Sequence, residues 1–253
     1  MQDSNNNINI QDLLEAGVHF GHLRSKWDPQ MAPYIFMEKN GIHMIDLNKT
    51  ARKLEEAAAA MKNIARSGRK IMFVATKKQA KEIVADAARR VGMPFVTDRW
   101  LGGMLTNFST VRKSIKKMSN IDRMNADGTV NNMAKRERLM LMREREKLER
   151  MLGGINDLSR LPAALFIVDI KKEHIAVAEG TKLNLTTFGI VDTNANPNIV
   201  DYPIPANDDA TKSIAYITNY IANAIEEGLQ ERKKSKDVKE EDVQAETAST
   251  EQE

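Results

Sequence analysis

The chain has 253 residues, with 38 Lys and Arg against 35 Asp and Glu and a formal net charge of +3. This length can bury a large core, either as one domain with an insertion or as two smaller domains. The absence of cysteine excludes disulfides and thiolate zinc sites and is typical of a reducing compartment. No run of about 18 apolar residues occurs, and residues 1–7 lack the features of a signal peptide, so we expect a soluble cytoplasmic protein with no membrane partner.

The first third of the chain predicts a helix, a β-hairpin and a second, longer helix. The short helix is predicted over 10–16. The apolar runs 34–37 and 42–45 are separated by a segment that ends in Asn40-Gly41, a dipeptide typical of two-residue hairpin turns. The alanine-rich segment 47–67 predicts a helix that stops before a glycine.

After position 70, apolar runs alternate with helical segments on both sides of a long insertion. The predicted strands are 71–75, 95–97, 163–168, 187–191 and 200–204. The prolines in and after the last strand limit its pairing, so we expect it at a sheet edge. The predicted helices are 77–91, 172–182 and 208–229, the last with Asn207 or Asp208 as its N-cap. This alternation predicts an α/β fold in which a parallel sheet is flanked by helices on both faces.

The insertion at 108–155 carries a concentrated positive charge. It contains twelve Lys and Arg and six Asp and Glu, a net charge of +6, so the excess positive charge of the chain is local. Heptad-like positions recur at 108, 111, 115 and 118 and again at 134, 138, 141, 145, 148, 152 and 155, where Arg138 and Arg145 interrupt the apolar seam. An Asp-Gly pair between the two patterns favours a turn, so we predict an antiparallel coiled-coil hairpin. Charged residues on surface helices often serve only to keep a protein soluble, and the pattern alone does not exclude this alternative.

These patterns divide the chain into four parts. The first part of the α/β domain, with the N-terminal helix and hairpin, is 1–105, and the inserted coiled-coil arm is 106–155. The second part of the α/β domain is 156–230, followed by a charged tail at 231–253. The tail is predicted to be disordered because it has almost no apolar residues to bury.

A parallel α/β sheet invites an enzyme hypothesis, because ligands bind at the carboxyl ends of its strands. The segment 76–80, after the first parallel strand, has no glycine, so neither a dinucleotide fingerprint nor a phosphate-binding loop is present and no cofactor is expected. The pair Gly102-Gly103 is interpreted as a hinge between the body and the arm.

Two histidines and two aspartates form the one candidate metal constellation. His19 and His22 could share a metal with Asp169 or Asp192, each of which follows an apolar strand. This His spacing is frequent by chance, and a histidine satisfied within a glycine-rich turn is the commoner arrangement, so we assign no metal site and no catalytic residue. A metal-dependent hydrolase that uses these four residues is kept as an alternative function.

An ordered set of sequence blocks extends across residues 10–230. The blocks are GVHFGH at 17–22, WDPQMAPYIF at 27–36, NGIHMIDL at 40–47, RWLGGMLTNF at 99–108, FIVD at 166–169, KEHIAVAE at 172–179, IVDTN at 190–194 and DYPIPANDDA at 201–210. Together they resemble the signatures of the bacterial small-subunit (30S) ribosomal protein S2 family.

The resemblance implies a Rossmann-like α/β domain with an inserted coiled coil, located between the head and body of the small ribosomal subunit. It also implies a structural protein that binds small-subunit ribosomal RNA and helps to dock ribosomal protein S1 for translation, beside neighbouring small-subunit proteins. No small-molecule substrate is implied. A coiled-coil adaptor that acts outside the ribosome is a further alternative.

With that context, the basic residues acquire a role, because Lys and Arg that neutralise phosphates release counterions and give salt-dependent RNA binding. The candidates on the arm are Arg112, Lys113, Lys116, Lys117, Arg136 and Arg143. The candidates on the body, in or beside the family-like loops, are Arg24, Lys26, Lys77, Lys78 and Arg99. Trp27 and Trp100 are expected to be buried where loops meet the body, and the mixed-charge segment 137–150 is expected to be open to a protein such as ribosomal protein S1.

Overall fold

The computed structural model describes the backbone of residues 8–250 and the side chains of residues 8–130 and 133–235. The chain begins with the expected short helix, α1 (Ile10–Glu15), and then forms a small antiparallel sheet. Its strands are β1 (Phe20–Leu23), β2 (Ile35–Lys39) and β3 (Ile42–Ile45), in the order β1-β3-β2. The predicted hairpin, β2 with β3, is confirmed, and β1 is a strand that the sequence pattern did not predict.

The hairpin turn follows from its two residues. Asn40 and Gly41 have φ angles of 53° and 74°, the left-handed pair that a type I′ turn requires. Strand β1 has no such local signal, because it contains a glycine and pairs with β3, where Phe20 lies opposite Met44. A strand of this kind depends on its partner instead of on its own sequence.

The main sheet has five parallel strands, as the α/β prediction requires. The strands are β4 (Ile71–Val74), β5 (Phe95–Val96), β6 (Ala164–Val168), β7 (Thr186–Val191) and β8 (Tyr202–Pro205). Their order is β5-β4-β6-β7-β8, and every neighbouring pair is parallel. Strand β8 lies at a sheet edge, as its prolines predicted.

Helices cover both faces of this sheet. They are α2 (Leu47–Arg66), α3 (Lys81–Arg90), α4 (Phe108–Ala126), α5 (Lys135–Leu152), α6 (His174–Lys182) and α7 (Thr211–Thr250). Because side chains alternate along a strand, Phe73 and Phe166 pack with α2, α3 and α7, whereas Met72 and Leu165 pack with α6 and the base of the insertion. Among the described residues, no helix is both long and apolar enough to cross a membrane.

The strand order reverses between β4 and β6. The chain moves from β4 outward to β5 and then returns to the other side of β4, so the loops after β4 and β6 leave the sheet in opposite directions. In open parallel sheets this reversal creates the crevice in which ligands bind, outside the carboxyl ends of the strands. The residues that follow β4 and β6 therefore lie where a ligand would be expected.

Several observed boundaries differ from the predicted ones. Helix α3 begins at Lys81 instead of at position 77, because residues 77–80 form a turn closed by the Ala80 N–H and the Lys77 carbonyl at 3.0 Å. Helix α6 likewise begins at His174 instead of at position 172. Both changes lengthen the loops at the carboxyl edge of the sheet, where polar side chains compete with the backbone for hydrogen bonds.

The end of the predicted helix 208–229 also differs from the structure, whereas the disorder of the tail at 231–253 stays a prediction. Helix α7 continues to Thr250, and residues 251–253 lie outside the described part of the chain. The physical reason is that this segment, though it has few apolar residues to bury, is rich in Lys, Glu, Gln and Ala and contains no Gly or Pro, a composition that favours helix.

Helices α2 and α7 pack closely because of a glycine. A side chain at Gly228 would overlap the backbone carbonyl of Lys62 and lie 3.3 Å from the Ala65 Cβ. The absence of a Cβ therefore sets the distance between the two helices.

Replacing Gly228 with Ala is expected to lower the free energy of unfolding by about 1–3 kcal/mol, because α7 would have to move away from α2. The matched control is Gly102→Ala, whose added methyl group meets nothing within 4 Å, and which should change the stability by less than about 0.5 kcal/mol. Urea unfolding followed by circular dichroism measures both, and equal effects would contradict the role given to Gly228.

Candidate nucleic-acid interface

The arm consists of α4 and α5, joined through a turn at residues 127–134. Of the predicted inward positions of α4, Val111, Ile115 and Met118 are buried and Phe108 is half-buried, and Ile121 is buried as well. On α5 the predicted seam holds only from Leu141 onward, because Ala134 and Arg138 are exposed. The two helices contact each other, and a coiled-coil geometry of the arm stays a prediction.

Arg145, which interrupts the predicted seam, is compensated by acidic partners. Its Nε lies 2.5 Å from Asp122 of α4, and its guanidinium also pairs with Glu149 one turn further along α5. Lys117 of α4 pairs with Glu144 of α5. These pairs join the two helices and remove part of the arm's positive charge from contact with a ligand.

The remaining candidate cations of the arm are open to solvent. Arg112, Lys113, Lys116, Arg136 and Arg143 are all exposed. Within the part of the chain that the structure describes, none of these five forms an ion pair, whereas Lys117 does. Their charges are therefore uncompensated, which suits contact with a polyanion.

The base of the arm is held by one buried carboxylate. Glu179 of α6 is 7% exposed and lies under the loop between β5 and α4. It accepts five hydrogen bonds of 2.7–3.1 Å, from the Trp100 Nε1, the N–H groups of Gly103, Leu105 and Thr106, and the Thr106 hydroxyl. Gly103 is thus part of a hydrogen-bonded turn, and the interpretation of Gly102-Gly103 as a hinge stays a prediction.

The ionisation of Glu179 follows from these donors. Burial by itself would raise the pKa of Glu179, but the N–H groups of Thr106 and Leu105, with Trp100 and Gly103, outweigh burial and lower the pKa below its ordinary value. The carboxylate is therefore charged at neutral pH and fixes the start of α4 relative to the sheet.

The body candidates fall into two groups. Arg24, Lys26, Lys78 and Arg99 are exposed, with Arg24 at 3.4 Å from Glu38. Lys77 is only 11% exposed. Of the two tryptophans, Trp100 is buried as predicted, whereas Trp27 is 38% exposed and its ring lies 5.1 Å from that of His43.

Lys77 occupies the crevice at the strand-order reversal. Its Nζ lies 2.9 Å from Asp169, 2.6 Å from Asp208 and 2.8 Å from Asp209. The turn at 77–80 directs it there from the end of β4, and Asp169 follows β6. Burial alone would lower the pKa of Lys77, but the carboxylates, led by Asp208, outweigh burial and raise it.

The same cluster contains a histidine. His22 Nδ1 lies 3.0 Å from Asp192, and its Nε2 lies 3.4 Å from Asp209. The hydrogen bond to Asp192 is the main cause that raises the pKa of His22. Burial, with the nearby charges of Asp169 and Asp192, raises the pKa of Asp208 to about 7. These polar groups come from β1 and from the segments that follow β4, β6, β7 and β8, and they pair with one another.

The proposed hydrolase quartet does not assemble as a unit. The structure brings together His22 and Asp192, but Asp169 binds Lys77 and His19 packs on the ring of Phe20 at 4.1 Å. Burial lowers the pKa of His19. The hypothesis of a site formed by these four side chains is therefore wrong.

A different group has ligand atoms close enough to hold a metal. The atoms of His22, Asp208 and Asp209 lie within 4.8 Å of one another. Lys77 already contacts both of these aspartates, and Asp192 contacts the histidine, so hydrogen bonds and ion pairs account for the arrangement. An α/β body whose ligand crevice is filled by its own side chains, and which carries a basic arm, fits the class of structural proteins.

Comparisons with known proteins agree with this class. The family model described as ribosomal protein S2 matches residues 13–228. A small ribosomal subunit protein uS2 from Cytophaga hutchinsonii is 64% identical over 230 residues, which cover 91% of each chain. Proteins of the same name from Parabacteroides distasonis and Flavobacterium johnsoniae are 63% and 62% identical, over 90% and 92% of this chain and 82% and 92% of theirs. The chain belongs to the ribosomal protein S2 family.

Membership of this family makes the chain a structural protein of the small ribosomal subunit, which acts in translation in the cytoplasm and is not an enzyme. The predicted resemblance is therefore confirmed, and so is the Rossmann-like α/β fold.

Sequence reasoning missed the role of Glu179. A signal was present, because Glu179 shares the buried face of α6 with Ala176, Val177 and Gly180. A charged residue on an otherwise apolar helix face predicts a buried partner. The sequence does not say that the partner is the backbone of a loop more than seventy residues away.

Replacing Glu179 with Gln is expected to lower the free energy of unfolding by about 2–4 kcal/mol, because an amide nitrogen would face N–H groups that now donate to a carboxylate oxygen. The control is Glu146→Gln on α5, which is exposed and should be nearly neutral. Urea unfolding followed by circular dichroism measures the difference. Two variants of equal stability would contradict the role of Glu179.

Replacing Lys77 with Met is expected to destabilise the fold by roughly 3–5 kcal/mol, since buried carboxylates would lose their cation. Lys78 is the adjacent, exposed control, and Lys78→Met should leave the melting temperature nearly unchanged. Thermal unfolding at neutral pH compares the pair. A Lys77→Met protein as stable as the control would show that the cluster does not depend on this ammonium.

Proposed function

We propose that the chain anchors itself in the small subunit by binding ribosomal RNA phosphates through the arm. One observation carries this proposal: five candidate cations of the arm are exposed and free of ion pairs within the described residues. Such a surface gives strongly salt-dependent affinity with little base information.

The rigid base of the arm supports the same role. Folded RNA helices are recognised largely by their shape, so the cations must be held in fixed positions relative to the body. The hydrogen bonds to Glu179 hold the start of α4, and the pair Arg150–Asp98, at 3.7 Å, links the end of α5 to the loop after β5. Both ends of the arm are therefore tied to the body.

Exposed residues of the body extend the proposed interface. Arg24, Lys26, Lys78 and Arg99 stay proposed phosphate contacts because they are exposed beside the loops of the body. We leave Lys77 out of the interface, since its ammonium is already bound by three carboxylates. A phosphate would have to displace these partners.

We also propose that the chain helps to dock ribosomal protein S1. Support comes from apolar side chains that stay exposed on α5, namely Leu139, Met140 and Met142, next to the mixed charges of 137–150. Phe36 of β2, 73% exposed, offers a second apolar contact. Exposed apolar groups rimmed by charges are typical of protein contact surfaces.

The test reverses three unpaired cations of the arm. The variant Arg112→Glu, Lys113→Glu, Lys116→Glu is expected to bind small-subunit ribosomal RNA at least about tenfold more weakly, with a slope of log affinity against log salt that is smaller by about 2–3. Filter binding at several salt concentrations measures the affinity. Reconstituted small subunits report incorporation of the chain and occupancy by ribosomal protein S1.

The matched control is Arg52→Glu, Lys182→Glu, Lys212→Glu, three exposed cations on α2, α6 and α7. It changes the net charge by the same amount, so a loss of affinity through net charge alone would appear in both variants. Unchanged incorporation and an unchanged salt slope of the arm variant would remove the arm from the RNA interface.

A further inference from the structure

The amino-terminal edge of the parallel sheet contains a second basic region, opposite the acidic cluster. A cavity of about 750 Å³ lies between the segments that precede β4, β5 and β6, next to Gly153 and Gly154 where α5 returns to the body. A second cavity of about 610 Å³, beside α7, shares Arg89 and Gly92 with it. We call the two together the amino-edge cleft.

The charge of the amino-edge cleft is strongly positive. Seven cations line it, namely Arg69, Lys70, Arg89, Arg90, Arg160, Arg232 and Lys233. Two acidic residues, Asp157 and Glu226, also line it, so the net formal charge of its lining residues is +5. Among the residues that the structure describes, only Arg89 of these seven forms an ion pair, with Asp86 at 2.8 Å.

Neutral groups orient several of the cations without cancelling their charge. Arg69 donates to the Ser67 hydroxyl at 3.1 Å, and Lys70 donates to the Gly92 carbonyl at 2.6 Å. The guanidinium of Arg232 lies against Gly68, where any side chain would overlap it. The rim is thus partly preorganised, which lowers the entropy cost of binding an anion.

Helix capping explains only part of this charge. Arg89 and Arg90 stand in the last turn of α3, where cations complement the helix dipole. Arg69 and Arg160 lie in loops, and Arg232 and Lys233 lie in the middle of α7. Four cations therefore converge on the cleft without any capping role.

The floor of the cleft is apolar. Met93, Pro94 and Phe95 line it, and Leu161 is exposed at its margin. Arg89 lies over the Phe95 ring at 5.1 Å from its centroid. Cations around an aromatic and apolar surface are the arrangement with which proteins hold unpaired nucleotides, the phosphates on the charges and the base on the ring.

We propose that the amino-edge cleft binds an unpaired segment of the ribosomal RNA, with phosphates on Arg69, Arg160 and Arg232 and a base against the Arg89–Phe95 pair, in which the guanidinium lies over the ring. The proposal rests on the proposed function and adds to it a second RNA site on the body. The cleft begins at Gly153-Gly154, at the end of the arm, so one RNA region can contact both sites.

The test neutralises two rim residues in the full-length chain. Arg69→Gln, Arg160→Gln is compared with Arg52→Gln, Lys212→Gln, a control pair of exposed cations on α2 and α7. Binding of small-subunit ribosomal RNA made by transcription is measured at several salt concentrations. The cleft variant is expected to bind about fivefold more weakly at low salt, with a salt slope smaller by about one for each arginine, whereas the control should match the wild type.

Photocross-linking locates the contact. RNA that contains 4-thiouridine is expected to cross-link to peptides that include Phe95 and residues 156–161, and these cross-links should be lost in the cleft variant. Matching melting temperatures of the two variants would establish that the loss does not come from unfolding. Absence of cross-links to these peptides in the wild-type complex would overturn the proposal.

The remaining outcomes separate this proposal from the proposed function. If the wild type binds RNA and the cleft variant behaves like the control, the cleft proposal is wrong and the arm keeps its role. If the wild type does not bind the RNA at any salt concentration, the proposed function itself fails. Saturable binding of adenosine monophosphate that the cleft variant loses, with RNA affinity unchanged, would assign the cleft to a free nucleotide and overturn the RNA assignment.

Discussion

The network of hydrogen bonds around Glu179 is the constraint on which the rest of the molecule depends. A charged carboxylate placed on the buried face of α6 needs several donors, and the loop before the arm supplies all of them. In return, N–H groups of the loop just before α4 are satisfied and the arm acquires a defined direction. Without this carboxylate the basic helices would keep the apolar packing of their base on the sheet and the Arg150–Asp98 pair, but they would lose the hydrogen bonds that fix the loop before α4. Positions of phosphate-binding groups would then vary, and shape recognition would be weakened.

The two edges of the parallel sheet have opposite characters, and this difference explains how an enzyme-like fold serves a structural role. At the carboxyl edge, Lys77 and His22 are surrounded by aspartates, so the usual ligand crevice is filled by ion pairs within the protein. At the amino edge, arginines and lysines surround an apolar floor and, within the described residues, lack acidic partners apart from Asp86. Charge that is compensated internally stabilises the fold, whereas uncompensated charge is available to an external polyanion.

Much of the fold follows from local patterns. Asn40-Gly41 determines a hairpin because both residues tolerate positive φ, and the continuous apolar runs of β4 and β6 predict strands buried on both faces. The spacing of Val111, Ile115 and Met118 predicts the inward face of α4. Where local signals compete, boundaries move: the turn at 77–80 delays α3, and the helix-favouring composition after residue 231 extends α7.

The sequence by itself therefore determined the α/β class, the basic insertion and the family resemblance, since periodicity, turn residues and ordered motifs are properties of neighbouring residues. Only the tertiary structure decided whether each charged side chain is ion-paired or exposed. Lys77 and Lys78 are identical neighbours in sequence, yet one is bound by three carboxylates and the other is exposed. Arg145 and Arg143 differ in the same way on α5. The reason is physical: electrostatic compensation depends on distances of a few ångströms between groups that the chain brings together from far apart.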